Sequence, residues 1–374
     1  MSEQRFAARL LNWFDQHGRS GLPWQSPRTA YRVWLSEIML QQTQVTAVIP
    51  YFERFIARFP DIAALADAEP DEVMRHWAGL GYYARARNLH AAAKQVRDAH
   101  GGVFPSDFER IVALKGVGRS TAAAILAQAF GTPAAILDGN VKRVLTRWAG
   151  IEGHPAEAAV NARLWSLAES LLPATRAADY VQAQMDLGAT LCTARKPDCA
   201  RCPLQQDCVA HRTRRTAELP TRKAIKARPH REAWLILASD ADGRVLLEQR
   251  PGSGIWGGLW CPPVITLGED RAHILRTRFG VALQDEESGE TIEHQFTHFD
   301  LSLHPLRARA LLLAEVVAEA SPSAWHHPRA LSEGALALPT PVSRYFAQAA
   351  APTDLLGHHA RPARRIRRIA KGKP

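Results

Sequence analysis

Leu114-Lys115-Gly116-Val117-Gly118-Arg119-Ser120-Thr121 is the stretch that decides the fold. Two glycines one residue apart stand between the apolar pattern of Phe108–Leu114 and that of Ser120–Phe130. They read as a tight turn joining two helices. Such a turn aims backbone N–H groups outward, where they can grip a phosphate. Shortly beyond it, Leu137-Asp138-Gly139-Asn140 places a carboxylate just past the second helix. A phosphate grip beside an acid points to chemistry on a nucleic-acid backbone or its sugar.

Working outward, residues 5 to about 190 are rich in Ala and Leu with helical periodicity, punctuated by Gly81, Gly101-Gly102, Gly131 and Gly150. The spacing predicts two or three helices over Tyr31–Phe59, with Pro50 opening one of them. The character then changes. Ala233–Ala238 and Arg244–Gln249 read as strands around an Asp242-Gly243 hairpin signal. A Gly/Trp/Pro loop follows over Gly252–Pro263, then a short helix over Arg271–Phe279. Strands are predicted over His294–Leu303 and Arg309–Val317, and a terminal helix around Tyr345. The expected architecture is multidomain, an all-α region followed by an α+β domain. Its boundaries are expected at 1–211, a basic linker 212–230, a second domain 231–349 and a basic disordered tail 350–374.

The chain has 374 residues, is 46% hydrophobic and carries a net charge of +10. That charge is concentrated. Arg212–Arg231 holds eight Lys/Arg against one Glu, and Arg361–Pro374 holds seven with no acid, so each carries +7 and about −4 remains for everything else. The globular parts are therefore not basic overall, and any polyanion footprint on them is local. The two runs read as a solvated linker and tail, compatible with auxiliary nucleic-acid contact. The N-terminus lacks the apolar core of a signal peptide, and no run of eighteen apolar residues occurs. The expectation is a soluble, cytoplasmic, nucleoid-associated monomer with no membrane partner.

Cys192-x6-Cys199-x2-Cys202-x5-Cys208 confines four thiols to seventeen residues. Four thiolates at this spacing suit one soft metal centre, an iron–sulfur cluster or zinc. Structural zinc sites usually pair two Cys-x-x-Cys elements, whereas a single such pair stands here, so the pattern favours an iron–sulfur cluster. Cys261 is isolated and is expected in a half-buried loop.

The glycine turn, Asp138 and the cysteine loop together resemble the helix–hairpin–helix DNA glycosylases, and the cysteine spacing matches the four-iron four-sulfur loop of those similar to endonuclease III. Leu35-Ser-Glu37-Ile-Met-Leu-Gln41-Gln42-Thr43-Gln44-Val45 and Gly79-Leu-Gly-Tyr-Tyr-Ala-Arg-Ala-Arg87 narrow the resemblance to adenine DNA glycosylases of the MutY type. Trp256-Gly-Gly-Leu-Trp260 and Phe296-Thr-His298-Phe extend it, so that it covers about residues 5 to 349. It implies removal of adenine mispaired with 8-oxoguanine or guanine from duplex DNA. The alternative class is a bifunctional pyrimidine-lesion glycosylase and lyase similar to endonuclease III.

Breaking a glycosidic bond needs a protonated leaving base and a stabilised sugar cation, work that two carboxylates can divide. Glu37 stands in an otherwise apolar helical stretch, Val33–Leu40, where an acid is either at a surface position or held in a pocket with a raised pKa, and the resemblance selects the pocket. By resemblance, Glu37 protonates adenine N7 and helps activate water, while Asp138 stabilises the oxocarbenium-like sugar. Asp138 also reads as a helix N-cap, a position expected to lower its pKa. Bifunctional relatives carry a lysine where Ser120 stands, so the resemblance implies base removal without strand cleavage. Lys142 is a candidate for an adventitious Schiff base, or a phosphate-contacting or solvated lysine.

The target base must leave the stack before it can react. By resemblance, Gln42 and Tyr82 insert into the duplex beside it, with Gln41, Thr43 and Leu80 on the same surface. Leu22, Trp24 and Gln182 match positions lining the adenine pocket. Gly116 and Gly118 belong to the phosphate turn, where Lys115 replaces the proline frequent in relatives. Arg85 and Arg87 are expected to meet phosphates or to form a solvated face. The second domain resembles the Nudix fold, whose hydrolase helix needs a Glu-rich metal box. Arg271-Ala-His-Ile-Leu-Arg-Thr-Arg-Phe-Gly280 lacks those carboxylates, which argues against pyrophosphate hydrolysis. Phe296, Thr297 and His298 match the loop that reads 8-oxoguanine in the family.

Overall fold

The computed structural model describes residues 3–223, 227–313 and 322–350. The chain begins as a helical array: α1 (Glu3–His17), α2 (Ala30–Leu40), α3 (Val45–Arg58), α4 (Ile62–Ala66), α5 (Pro70–Trp77), α6 (Ala84–His100), α7 (Phe108–Val112), α8 (Arg119–Phe130), α9 (Gly139–Ala149), α10 (Ala158–Ser170) and α11 (Ala177–Thr190). Side-chain oxygens start several of them. Thr29 accepts the Arg32 N–H ahead of α2, and Asp61, Asp107 and Asp138 do the same ahead of α4, α7 and α9. Left-handed glycines stop α6, α8 and α9 at Gly101, Gly131 and Gly150.

α8 explains how this array is divided. Its Ala122, Ile125 and Leu126 pack into one core with α2–α6, while Ala123, Ala124 and Ala127 pack into a second with α1, α9, α10 and α11. A helix gripped from both sides must be apolar all round, and its run of small alanines lets both lobes come close. Glu37 of α2, Gln128 of α8 and Asp138 ahead of α9 lie along this seam.

Past the cysteine loop and the short α12 (Val209–Arg212), the chain builds a mixed sheet from β1 (His230–Ser239), β2 (Val245–Gln249), β3 (Trp260–Cys261), β4 (Val264–Thr266), β5 (Val281–Ser288), β6 (Ile292–Gln295), β7 (Asp300–Leu312) and β8 (Ser323–His326). The path runs β3-β2-β1-β7-β5, with β4 on β1, β6 on β7 and β8 on β2. β1 and β7 lie parallel, His230 opposite Asp300 through Ser239 opposite Arg309. Alternation along β1 sends Ala233, Leu235 and Leu237 to the face covered by α14 (Pro328–Ser332) and α15 (Thr340–Ala350), which is continuous with the first helical core. Ile236 and Ala238 face α13 (Arg271–Phe279) on the other side.

Several expectations are corrected. Pro50 lies inside α3, because the helix already begins at Val45, directly after the turn at Gln42–Gln44. The strands predicted over 294–303 and 309–317 are instead the short β6 and one continuous β7, with β5 ahead of them. Pro305 does not break β7, since its missing N–H stands opposite the gap between β5, paired as far as Leu306, and β6, paired from Leu303. Residues 314–317 of the second predicted strand, 224–226 of the linker and the tail beyond 350 lie outside the described residues. Cys261 is fully buried in β3, and burial pushes its thiol pKa up. Among the described residues no helix is long and apolar enough to cross a membrane.

Candidate active site

Glu37 sits on the face of α2 turned toward α8, and Gln128 of α8 donates its amide N–H to Glu37 Oε1 at 2.9 Å. Some of the residue's surface stays accessible, yet its carboxyl is surrounded by protein. Burial pushes its pKa up to about 7, partly offset by the Gln128 bond and reinforced by the charge of Asp138. Asp138 arrives from the other lobe as the N-cap of α9. Its Oδ1 accepts the Val141 N–H at 2.7 Å and its Oδ2 the Asn140 amide at 3.4 Å. The expectation of a lowered Asp138 pKa is overturned. Burial is the largest influence and raises it, against the opposing pull of Val141, Asn140 and Arg143. The two carboxylates thus face each other across the seam, both held by amide donors and neither in an ion pair among the described residues.

Gln128 escaped the sequence reading. A lone amide, 6% exposed, in the otherwise apolar Ala122–Ala127 run was the available signal.

The glycine turn opens α8. Gly116 has φ +78, and a Cβ there would meet Asn88 Cβ of α6 at 2.7 Å, so glycine is needed twice over. Gly118 caps α8 with open space around it. Lys115 compensates for the missing proline, since its N–H, which proline lacks, is bound by Gln95 Oε1 at 2.8 Å. Ser120 Oγ accepts the Leu137 N–H at 2.9 Å. That bond ties the turn to the residue before Asp138.

Gln42 and Tyr82 share an unusual conformation. Both are exposed with positive φ, 58 and 49. Arg85 is what holds their two loops together. It is 7% exposed, and its guanidinium donates to the carbonyls of Ile38 at 3.0 Å, Met39 at 2.7 Å, Gln41, and Gly81 at 3.2 Å, and to Thr43 Oγ1 at 3.2 Å. Arg85 therefore satisfies the C-terminal carbonyls of α2 and is not available to a phosphate. Its place one turn before buried Leu89 on α6 was the readable clue. Arg87 is also redirected, donating to the Gly257 carbonyl of the sheet domain. Leu80 is buried beneath the two loops, and Thr43 is half-buried.

Trp24 packs edge-on against Phe52 at 5.4 Å, with Leu22 half-buried beside it. Gln182 of α11 is 3% exposed and donates to Asp186 Oδ1 at 2.7 Å; Asp186 also receives the Arg19 backbone and guanidinium N–H groups at 2.7 and 2.8 Å. In the sheet domain, Phe296 stacks on Phe299 at 4.6 Å, leaving Thr297 and His298 exposed at the tip of the β6–β7 loop. Thr297 Oγ1 comes within 3.5 Å of Tyr82 Oη.

All four clustered cysteines face one cavity, walled also by Val144, Arg147, Leu187 and Leu204. The four thiols form an all-sulfur donor set around this cavity, which fits an iron–sulfur cluster. Burial pushes Cys202 up to about 12 and raises Cys199 and Cys208, so these thiolates require bound positive charge. Arg147, 2% exposed, donates to Cys192 Sγ at 3.4 Å, the Thr193 carbonyl at 2.7 Å and the Leu219 carbonyl at 2.8 Å. Arg143 reaches Cys192 O at 2.7 Å, Gly188 O at 2.7 Å and Asn140 Oδ1 at 2.8 Å. A hydrogen-bonded path therefore runs from the cysteine loop through Arg143 and Asn140 to Asp138. Beside it opens a cleft of about 570 Å³ lined by Lys142, Arg143, His154, Arg195, Arg222 and Lys223, with no acid.

Comparison with known proteins agrees with this geometry. Residues 35–170 match the HhH-GPD superfamily of base excision DNA repair proteins, 192–208 the iron–sulfur binding domain of endonuclease III, and 233–348 the NUDIX domain. An adenine DNA glycosylase of Buchnera aphidicola subsp. Acyrthosiphon pisum is 36% identical over 344 residues, 92% of this chain and 97% of that one. The adenine DNA glycosylase of Mus musculus is 37% identical, covering 72% of this chain and 62% of its own. Among solved structures, a thermostable thymine-DNA glycosylase superposes with TM-score 0.52 at 29% identity, over 56% of this chain and 97% of that one. An endonuclease III trapped covalently on DNA shares the fold, with TM-score 0.50 at 21% identity over 57% of this chain and 99% of its own. The chain belongs to the adenine DNA glycosylases, base excision repair hydrolases of the helix–hairpin–helix superfamily that bind duplex DNA and carry an iron–sulfur domain and a Nudix-like domain.

Proposed function

We propose that this enzyme excises adenine paired with 8-oxoguanine or guanine, and that it leaves the strand intact. The observation carrying the proposal is the pair of carboxylates at one seam, Glu37 and Asp138, each hydrogen-bonded by amide N–H groups and neither in a salt bridge among the described residues. With a pKa of about 7, Glu37 keeps a proton to deliver to adenine N7 at neutral pH. Proton delivery weakens the glycosidic bond and leaves positive charge on the sugar. That charge would pull the Asp138 carboxyl toward its ionised form, as the Val141 and Asn140 donors already do. Water, activated by Glu37 once it has given up its proton, then completes hydrolysis. Ser120 has no amine to attack the sugar, and its hydroxyl oxygen is engaged by the Leu137 N–H.

Gln42 and Tyr82 fill the space of the extruded adenine, their exposure and positive φ supporting a probing role. Leu22, Trp24 and Gln182 line the adenine pocket, and Gly116 and Gly118 offer N–H groups to a phosphate. The acid-free cleft around Lys142, Arg195 and Arg222 receives the DNA backbone beyond it. Phe296, Thr297 and His298 read the base opposite adenine. The catalytic region spans 1–211 and the reading domain 231–349, joined by the linker 212–230, and the enzyme works as a monomer. Cys192, Cys199, Cys202 and Cys208 would hold a [4Fe-4S] cluster, whose positive iron neutralises the four thiolates and knots the loop.

Replacing Glu37 by Gln tests the assignment. Single-turnover release of adenine from an A:8-oxoguanine duplex should fall by ~10³-fold, within the range general acid–base catalysis supplies, with duplex affinity retained. A variant that still turns over at the parent rate would remove Glu37 from the mechanism.

A further inference from the structure

The segment 250–260 joins the two halves of the molecule, and its contacts form a relay. On one side Asp71 of α5 accepts two hydrogen bonds from the sheet domain, from Gln249 Nε2 at 2.7 Å and Trp260 Nε1 at 3.1 Å. Arg87 of α6 donates to the Gly257 carbonyl, and Arg75 to that of Ala335 at 3.4 Å. Gly258, φ +77, lies flush against the helices, since a Cβ there would stand 3.6 Å from Arg87 Cδ and 3.7 Å from Met74 Cε. On its other side Trp256, held at φ +56 and 6% exposed, packs at 5.7 Å on Phe296 and 5.9 Å on His294. Phe296 in turn stacks on Phe299 and so fixes the tip carrying Thr297 and His298. Tyr82, two residues before α6 begins, meets that tip from the opposite side.

We infer that Asp71 and Arg87 are positioning residues for the reading of the opposite base: they lock the 250–260 segment to the catalytic domain and thereby hold the Thr297–His298 tip over Tyr82. The inference rests on the proposal that this tip reads that base. The physical reason is geometric. A domain joined only through a linker is free to rock, and the 3.5 Å approach of Thr297 to Tyr82 would be lost within a small rotation. Asp71 suits the task because one carboxylate can accept two bonds from the neighbouring domain at once. None of these groups reaches the Glu37–Asp138 seam, so loosening them should alter which partner base is preferred and leave bond breaking intact.

The experiment compares single-turnover adenine release from A:8-oxoguanine and A:G duplexes at saturating enzyme. Asp71→Ala removes both acceptors. Trp260→Phe removes one donor while keeping the ring's packing. Asp71→Asn is the conservative rescue, because Gln249 can turn its amide to suit. Asp71→Ala should lower the ratio of the two rates about tenfold while the A:G rate stays near the parent's. Trp260→Phe should lower the ratio less, Asp71→Asn should restore most of it, and the Asp71→Ala/Trp260→Phe pair should be non-additive. Equal falls in both rates, or an unchanged ratio in Asp71→Ala, would overturn the inference. A Thr297→Ala/His298→Ala variant separates the two levels of the argument. If it collapses the ratio while Asp71→Ala does not, the latch alone is wrong. If it leaves the ratio unchanged, the base-reading role falls and takes the latch with it.

Discussion

The two domains treat their buried carboxylates in opposite ways. In the sheet domain Glu248, with no exposed side-chain surface, is clamped by Arg250 at 2.9 Å and by Arg278 of α13. In the helical domain Glu37 and Asp138 take their hydrogen bonds from amides, and neither is in a salt bridge among the described residues. Two guanidiniums commit Glu248 to a structural clamp, while Glu37, with no salt-bridge partner, holds its proton near neutrality and can give it away. α13 carries the contrast further. Where a Nudix hydrolase needs metal-binding glutamates, it presents Arg271, His273, Arg276 and Arg278, and Arg278 has become a structural partner. α13 thus offers cations where such a box needs carboxylates, and the paired acids proposed for catalysis stand in the other domain.

The severest way to break that comparison is to remove the paired acid. Glu248→Ala removes two charge-assisted hydrogen bonds made by a buried carboxylate to partly exposed guanidiniums, at roughly 1.5–3 kcal/mol each. Urea unfolding should show a loss of that size, with adenine release per folded molecule unchanged. A loss below ~1 kcal/mol, the range of a surface pair, would mean that Glu248 is no structural clamp.

Removing the unpaired acid should do the reverse. Glu37 has a folded pKa of about 7 against an ordinary 4.5, so between those values the folded state holds a proton that the unfolded chain has released. Stability therefore falls as pH rises through that window, by roughly 3 kcal/mol once above it. Glu37→Gln escapes this penalty. The variant should be more stable than the parent at pH 8 and equal to it at pH 4, read by urea unfolding at both. The parent's own adenine release should decline above pH 7 as Glu37 loses its proton. Equal stabilities at pH 8 would show that the carboxyl is better solvated than its surroundings imply.

How much of this could be read beforehand differs between the domains for a physical reason. The helices, the glycine turn and the cysteine loop were legible because each is carried by local spacing or by a contiguous motif, whereas Glu37 and Asp138 were named together only from the family resemblance. What escaped depends on contacts distant in sequence. Arg85 looks like a surface cation until α2 is laid across it, when its guanidinium becomes the cap of that helix's carbonyls. Arg87 waits on Gly257, and Asp71 on Trp260. The two strands predicted over 294–303 and 309–317 miss that β7 runs on through Pro305, which faces the gap between β5 and β6. The Asp138 pKa was misjudged in sign because capping is a local feature, whereas the burial that outweighs it arises only in the folded chain.

The smallest effect sharpens the comparison at the turn between the lobes. Ser120 Oγ accepts the Leu137 N–H at 2.9 Å, one residue before Asp138. Ser120→Ala leaves that N–H unpaired at a half-buried position and should cost about 1 kcal/mol in thermal unfolding. A small displacement of Asp138 should slow adenine release by about tenfold at most, and the strand should still survive until alkali is added. Ser120→Lys is the informative partner, because it places an amine where attack on the sugar could produce a Schiff base that borohydride would trap. Strand cleavage by Ser120→Ala, or by the parent without alkali, would mean that another amine does this work, and Lys142 in the neighbouring basic cleft is the group to replace next. If cleavage appears only in Ser120→Lys, the hydroxyl at this turn keeps the reaction to base removal by what it lacks, and its bond to Leu137 is a separate, structural task.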